Sequence, residues 1–188
     1  MTKEQDFEAL TGYAKAFTGL TPEREACLLE ISAVVQPRLV EVTDKFYERL
    51  SEIPQTAPFI EGRLETLKQS HLAWIQSLFS GPFDVSCTEK MYKVGDIHVK
   101  VNLPVEFMAG AMSMINNELI ELVIEQFSSD HEKMKLVLTS INAITSFSLF
   151  VMQQSYQEST IAEELEKFLK ISGMSRDLFT NLAKAYTE

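Results

Sequence analysis

KVGDIHVKVNLP, Lys93–Pro104, sets a histidine among valines and an isoleucine, with a glycine just upstream and a proline downstream. The chain has only three histidines in 188 residues, so the setting of this one carries information. A solvent-facing histidine needs no apolar neighbours, whereas a buried neutral one needs a hydrogen-bond partner or a metal. His98 therefore has two readings: a core histidine donating to a carbonyl, or a ligand. Met91, Val94, His98 and Val101 recur at helical spacing, which predicts a helix from Thr88 to about Lys100 with the histidine on its inward side.

A second histidine bears on the choice. From about Glu61 to Phe79 the pattern is again helical, with Leu64, Leu67, His71, Trp74, Ile75 and Leu78 on one face. Two isolated histidines on inner faces of different helices, with no cysteine or clustered carboxylate nearby, fit poorly with zinc. They fit better with a haem, in which one imidazole approaches the iron from each side and aliphatic and aromatic residues cover the porphyrin. His131, in SSDHEKMK, sits at a polar helix start and reads as a surface residue.

The rest of the chain is helical in the same way. A short helix is expected from Glu4 to Ala16, ending near Gly19. Thr21-Pro22-Glu23-Arg24 supplies a cap and a first-position proline for the next helix. That helix turns Cys27, Leu28, Ile31 and Val34 inward before Pro37. Another follows with Leu39, Val42, Phe46, Tyr47 and Leu50, and Pro54 and Pro58 mark an irregular corner holding Phe59 and Ile60. Ser80-Gly81-Pro82 stops the His71 helix. Pro104 opens a helix reaching about Phe127, and Ser128-Ser129-Asp130 caps the longest one, with a break expected at Ser172-Gly173. The fold class is all-α, with seven or eight helices.

Composition agrees. The chain is 45% hydrophobic and 23% charged, with few glycines and prolines, as a helical globular domain requires. A net charge of −10 argues against nucleic acid or an anionic membrane surface as partner. MTKEQDFEAL has no basic, apolar leader, and the most apolar stretch, from Leu136, is interrupted by Thr, Ser and Asn. Two cysteines, Cys27 and Cys87, make neither a disulfide framework nor a thiolate metal site, and the expected location is cytoplasmic.

The motif VGDIHVKVNLP resembles the proximal haem-ligand motif of the globin-coupled sensors, in which a glycine three residues before the histidine is followed by a Leu-Pro exit. The likeness extends to KFYERL at Lys45–Leu50, to the Leu67–Asp84 stretch containing WI and LFSGPFD, and to PVEFMAGAM at Pro104–Met112. It spans roughly residues 20–160. It implies a globin-like fold with an extra N-terminal helix, a short C–D region and long C-terminal G and H helices. Residues 1–160 would form the sensor domain and 161–188 a helical connector toward a possible output domain.

It further implies haem b as cofactor, with His98 as proximal iron ligand. Tyr47 matches the B-helix tyrosine that hydrogen-bonds bound oxygen in many such sensors; the alternative is a packing aromatic. Phe46 beside it points about 100° away, so only one of the two is expected to face the pocket fully. Phe46, Phe59, Leu67, Trp74, Val94 and Met108 complete the expected lining. Two positions depart from the family pattern. His71 stands where such sensors more often have a small polar or aliphatic residue, and it either ligates iron or lines the distal pocket without binding. Met108 stands where many relatives have a tyrosine, and a thioether donates no hydrogen bond to the proximal imidazole. Lys93 and Lys100 either reach propionates or lie exposed, and the methionines at 108, 112 and 114 read as filler.

The resemblance implies sensing of a diatomic gas (O2, CO or NO) or of haem redox state, signalled through a dimer built on the last two long helices. Met112, Ile115, Leu119, Ile141, Phe147 and Phe150 exceed what one inner face needs, which suggests that interface. No catalytic residue is assigned, and the chain reads as a non-enzyme. The competing readings are a bis-histidine electron carrier and a haem-free helical regulatory module.

Overall fold

The computed structural model describes residues 6–187 and contains nine α-helices and no strand among them. The N-terminal helix, α1, is Phe7–Thr18; its expected beginning at Glu4 lies outside the described residues. Asp6 caps it, and Gly19 ends it in the left-handed region at φ 69°. Thr21 accepts from Arg24 N–H and opens α2 (Pro22–Val35), as the Thr-Pro signal requires. A single 3-10 turn over Gln36–Arg38 absorbs Pro37 and leads into α3 (Leu39–Glu52). The proline corner holds one short helix, α4 (Ala57–Ile60), and then come α5 (Leu64–Ser77) and α6 (Val85–Lys100). The long pair follows: α7 (Val105–Phe127) and the 42-residue α8 (His131–Ser172), with α9 (Arg176–Thr187) last.

The α8 helix is the spine. It packs against α1, α2, α6 and α7, while α3 packs against α5 and α7. Val137, Ile144, Phe147 and Val151 are fully buried along it, and its Ser and Thr hydroxyls turn back to carbonyls one turn earlier, which lets polar residues sit inside the core. Windows of α7 and α8 are long and apolar enough to cross a membrane, yet more than half of the α8 window is buried within this fold. The extra helix α1 lies against α6 and α8, tied by the Thr11–Thr88 hydroxyl bond of 2.6 Å and by the Phe7 ring edge-on to Tyr92.

Several expectations shift. The His98 helix begins at Val85 rather than Thr88, because Asp84 accepts from Ser86 N–H and caps it. Val35, not Val34, faces inward in α2, and Val101 is exposed just past the end of α6. Of the six residues assigned to a dimer interface, Met112, Ile115, Leu119, Ile141 and Phe147 are buried in the chain's own core. Phe150 is half-buried against Tyr13 and Phe17 of α1. Packing of α8 against α1, α2, α6 and α7, and of α7 against α3 and α8, explains the apolar surplus. The exposed apolar residues of α7 are instead Val105, Ile120 and Ile124.

Candidate haem site

On α3 the buried positions Leu39, Val42, Thr43, Phe46 and Tyr47 follow the helical period and form one face. Phe46 and Tyr47 are both buried, at 5% and 6% exposure, so adjacent residues share the wall. The reason is His71 on α5. The Phe46 ring stacks on its imidazole at 4.7 Å, and Tyr47 meets it edge-on at 5.7 Å. Trp74, three residues on, stacks against it too, at 5.3 Å. Both ring nitrogens of His71 are buried, and neither has a hydrogen-bond partner among the described residues. Burial pushes its pKa down to about 4, so at neutral pH the ring is an uncharged imidazole with a free lone pair. Leaving such a group unpaired costs about 1–3 kcal/mol, which a ligand would offset. The Tyr47 hydroxyl makes no hydrogen bond among the described residues, and burial pushes its pKa up to about 12, so it keeps its proton.

Across from α5, the Trp74 indole N–H donates to Met91 Sδ at 3.1 Å and bridges to α6. Met91 lies two turns before His98 on the same face of α6. His98 is half-buried, its Nδ1 is buried without a partner, and burial lowers its pKa. The ring donates to no carbonyl among the described residues. The Asn-Leu-Pro exit has a plain mechanical basis. Asn102 adopts φ 53° and ends the helix, Leu103 N–H closes onto the His98 carbonyl at 3.0 Å, and Pro104 starts the next helix. The Leu103 carbonyl then accepts from the Tyr156 hydroxyl at 2.8 Å, anchoring the exit to α8.

A family model described as Protoglobin matches residues 7–161. The chain belongs to the Protoglobin family. Its fold is similar to the globin domain of the Geobacter sulfurreducens globin-coupled sensor, at 28% identity and a TM-score of 0.72, over 77% of this chain and 96% of that one. It is also similar to the globin domain of E. coli DosC in its ferric form I and ferrous form II, each 21% identical over 78% of this chain and 99% of that one. Those TM-scores are 0.63 and 0.61, and at that identity the likeness speaks for the fold.

The cofactor of this Protoglobin family is haem b, and the residues present fit it. Among the described residues His71, with both ring nitrogens buried and unpaired, and His98, with its Nδ1 so, stand on helices bridged by Trp74 and Met91. Leu67 and Val94 are half-buried apolar neighbours, and Met108 is buried. No group of three or more His, Cys, Asp or Glu side chains suited to a bare metal ion occurs among the described residues. The structure gathers Phe46, Tyr47, His71 and Trp74 by direct ring contact. Phe59 turns to Phe107 on α7 instead, at 5.9 Å, and no hydrogen bond or ring contact joins His98 to His71. Lys93 and Lys100 are exposed.

Sequence reasoning passed over the anchoring of α6. Gly95 abuts α8 so closely that a Cβ there would lie 2.4 Å from the Met152 carbonyl oxygen. Asp96 accepts from Ser155 and Ser159 at 2.6 and 2.7 Å, and the Tyr92 hydroxyl donates to Glu158 at 2.5 Å. The one signal within reach was the four-residue spacing of the two serines.

Proposed function

We propose that this chain is a haem-based sensor of a diatomic gas, with His98 as the proximal iron ligand and His71 as the distal one. The observation that carries the reading is a pair of histidines with ring nitrogens (both of His71, Nδ1 of His98) buried without a partner among the described residues. Haem b would supply an iron able to take nitrogen ligands and a gas molecule, and His98 and His71 would be the residues that hold it. The chain's residues do the rest. His71, neutral and held by the Phe46, Tyr47 and Trp74 rings, offers a lone pair on the distal side. A gas would then compete with His71, and its apparent affinity would fall by the fraction of time the site is closed. Tyr47 keeps a protonated hydroxyl free to donate to a polar guest.

On this reading residues 1–160 are the sensor and 161–188 a connector, although α8 crosses that boundary without a break. Exposed Ile120 and Ile124 on α7 support an interface with a second copy along the long helices, in place of the buried residues first assigned to it. The chain acts without catalysis, in the cytoplasm, on a gas ligand and a C-terminal output domain.

An optical spectrum of the haem-reconstituted chain tests this. A Soret band that His98→Ala abolishes or weakens several-fold in haem retention, together with CO binding by the ferrous protein, is the expected result. A chain that never acquires the band sinks the haem reading; one that holds haem but refuses CO is an electron carrier.

A further inference from the structure

The α6 helix has two working faces. Met91, Val94 and His98 lie on one, while Tyr92, Gly95 and Asp96 lie on the side turned to α8. Asp96 precedes His98 by two residues, about 200° around the helix, so the two side chains leave it in nearly opposite directions. The half-buried Asp96 carboxylate holds Ser155 and Ser159, one turn apart on α8, and among the described residues no cation pairs with it. Hydroxyl bonds to a carboxylate are short and about twice as strong as neutral ones, as the 2.6 and 2.7 Å distances here reflect. At Gly95 the α6 backbone rests on α8 backbone with no side chain between to absorb movement. Tyr92 to Glu158, and the Leu103 carbonyl to Tyr156, close the two ends of the contact.

We propose that Asp96 is a positioning residue that couples His98 to α8, so that displacement of the proximal histidine moves the C-terminal part of α8 as one rod. The coupling rests on the reading of His98 as proximal ligand. From Ser155 the helix continues unbroken to Ser172, about 25 Å at 1.5 Å per residue, before Gly173 turns the chain into α9. There the rod meets a hairpin: Phe179 packs edge-on to Phe168, and Arg176 pairs with Glu166. Of the side chains that tie α6 to α8 by hydrogen bonds, Asp96 stands nearest His98 in sequence, with Tyr92 six residues before that histidine, so the bonded route from the proximal histidine to α8 is shortest through Asp96. Only a ligand that distinguishes two positions of α6 can drive it.

The test compares backbone amide exchange of residues 160–172 in the full haem-loaded ferrous chain with and without CO. The wild-type chain is expected to show a difference there. Asp96→Ala is expected to shrink that difference about five-fold or more while CO still binds. Asp96→Asn, whose amide oxygen still accepts both hydroxyls, is expected to retain it. The Ser155→Ala/Ser159→Ala pair leaves Asp96 in place and should behave like Asp96→Ala, which keeps the test decisive if Asp96→Ala does not fold. A full-size difference in Asp96→Ala or in the Ser155→Ala/Ser159→Ala pair, or none in CO-bound wild type, overturns the coupling while leaving the haem site intact. A wild-type chain with no Soret band overturns the site reading and the coupling together.

Discussion

The Phe46 ring lies 4.7 Å from the His71 imidazole and within 26° of parallel to it, so an aromatic of α3 holds a histidine of α5 flat against it. Trp74 does the same within 27°. A ring so constrained loses little further freedom on ligation, which favours a six-coordinate resting haem. The ferric spectrum of the loaded chain is therefore expected to be low-spin and to become high-spin in His71→Ala. A spectrum unchanged by that substitution rules out distal ligation and leaves His71 as pocket lining.

The same burial gives the haem-free chain a defined acid response. His71 titrates near 6.5 when exposed and near 4 in the fold. Between those values the unfolded chain binds a proton that the folded chain refuses, so stability is full above 6.5 and is lost as pH falls toward 4. Going from about pH 7 to about pH 5 removes about 2 kcal/mol on this account. His98, lowered by burial in the same direction, adds to the loss. Urea midpoints of wild type and His71→Phe at both pH values check it. The acid loss is expected to be smaller in the variant, and equal losses would remove His71 as the cause.

Tyr47 separates a gas site from a packing role. Its hydroxyl has no hydrogen-bond partner among the described residues, and its ring is held against Phe46 and His71. Tyr47→Phe removes the donor and keeps the ring. One hydrogen bond of about 1.4 kcal/mol corresponds to about a tenfold faster oxygen release, with CO release changing less because bound CO carries less charge. Stopped-flow release rates for both gases measure this, and identical ratios would make Tyr47 a wall residue only.

What the sequence made legible was local. Thr21-Pro22 marks a helix start by capping chemistry, and the Leu-Pro exit after His98 marks a helix end, because both act within a few residues. His71 and His98 were legible as inward residues from their stripes. The partners of Asp96 were not, since Ser155 and Ser159 lie 59 and 63 residues away and nothing in a serine identifies its acceptor. The apolar surplus on α7 and α8 was legible but not its cause. Periodicity reports that Phe147 and Leu119 avoid water, and it cannot say whether their cover is another helix of the same chain or a second copy. Val34 and Val35 show the same limit at one-residue scale, 100° apart on a helix that is apolar on more than one side.

Two helical glycines make the tightest test of the α6–α8 contact. A Cβ on Gly95 would meet the Met152 carbonyl oxygen at 2.4 Å and Ser155 Cβ at 2.9 Å, and backbone atoms of a packed helix yield little. Gly110, in α7, has nothing within 4 Å of the same position. Gly95→Ala is therefore expected to cost about 1–3 kcal/mol through overpacking, despite alanine's better helix propensity. Gly110→Ala is expected to gain up to about 1 kcal/mol, since it pays only the propensity difference. Urea unfolding of the two variants beside wild type reads both signs at once. Equal gains would mean that α6 and α8 stand further apart than 2.4 Å implies, and the backbone contact at Gly95 would have to be abandoned.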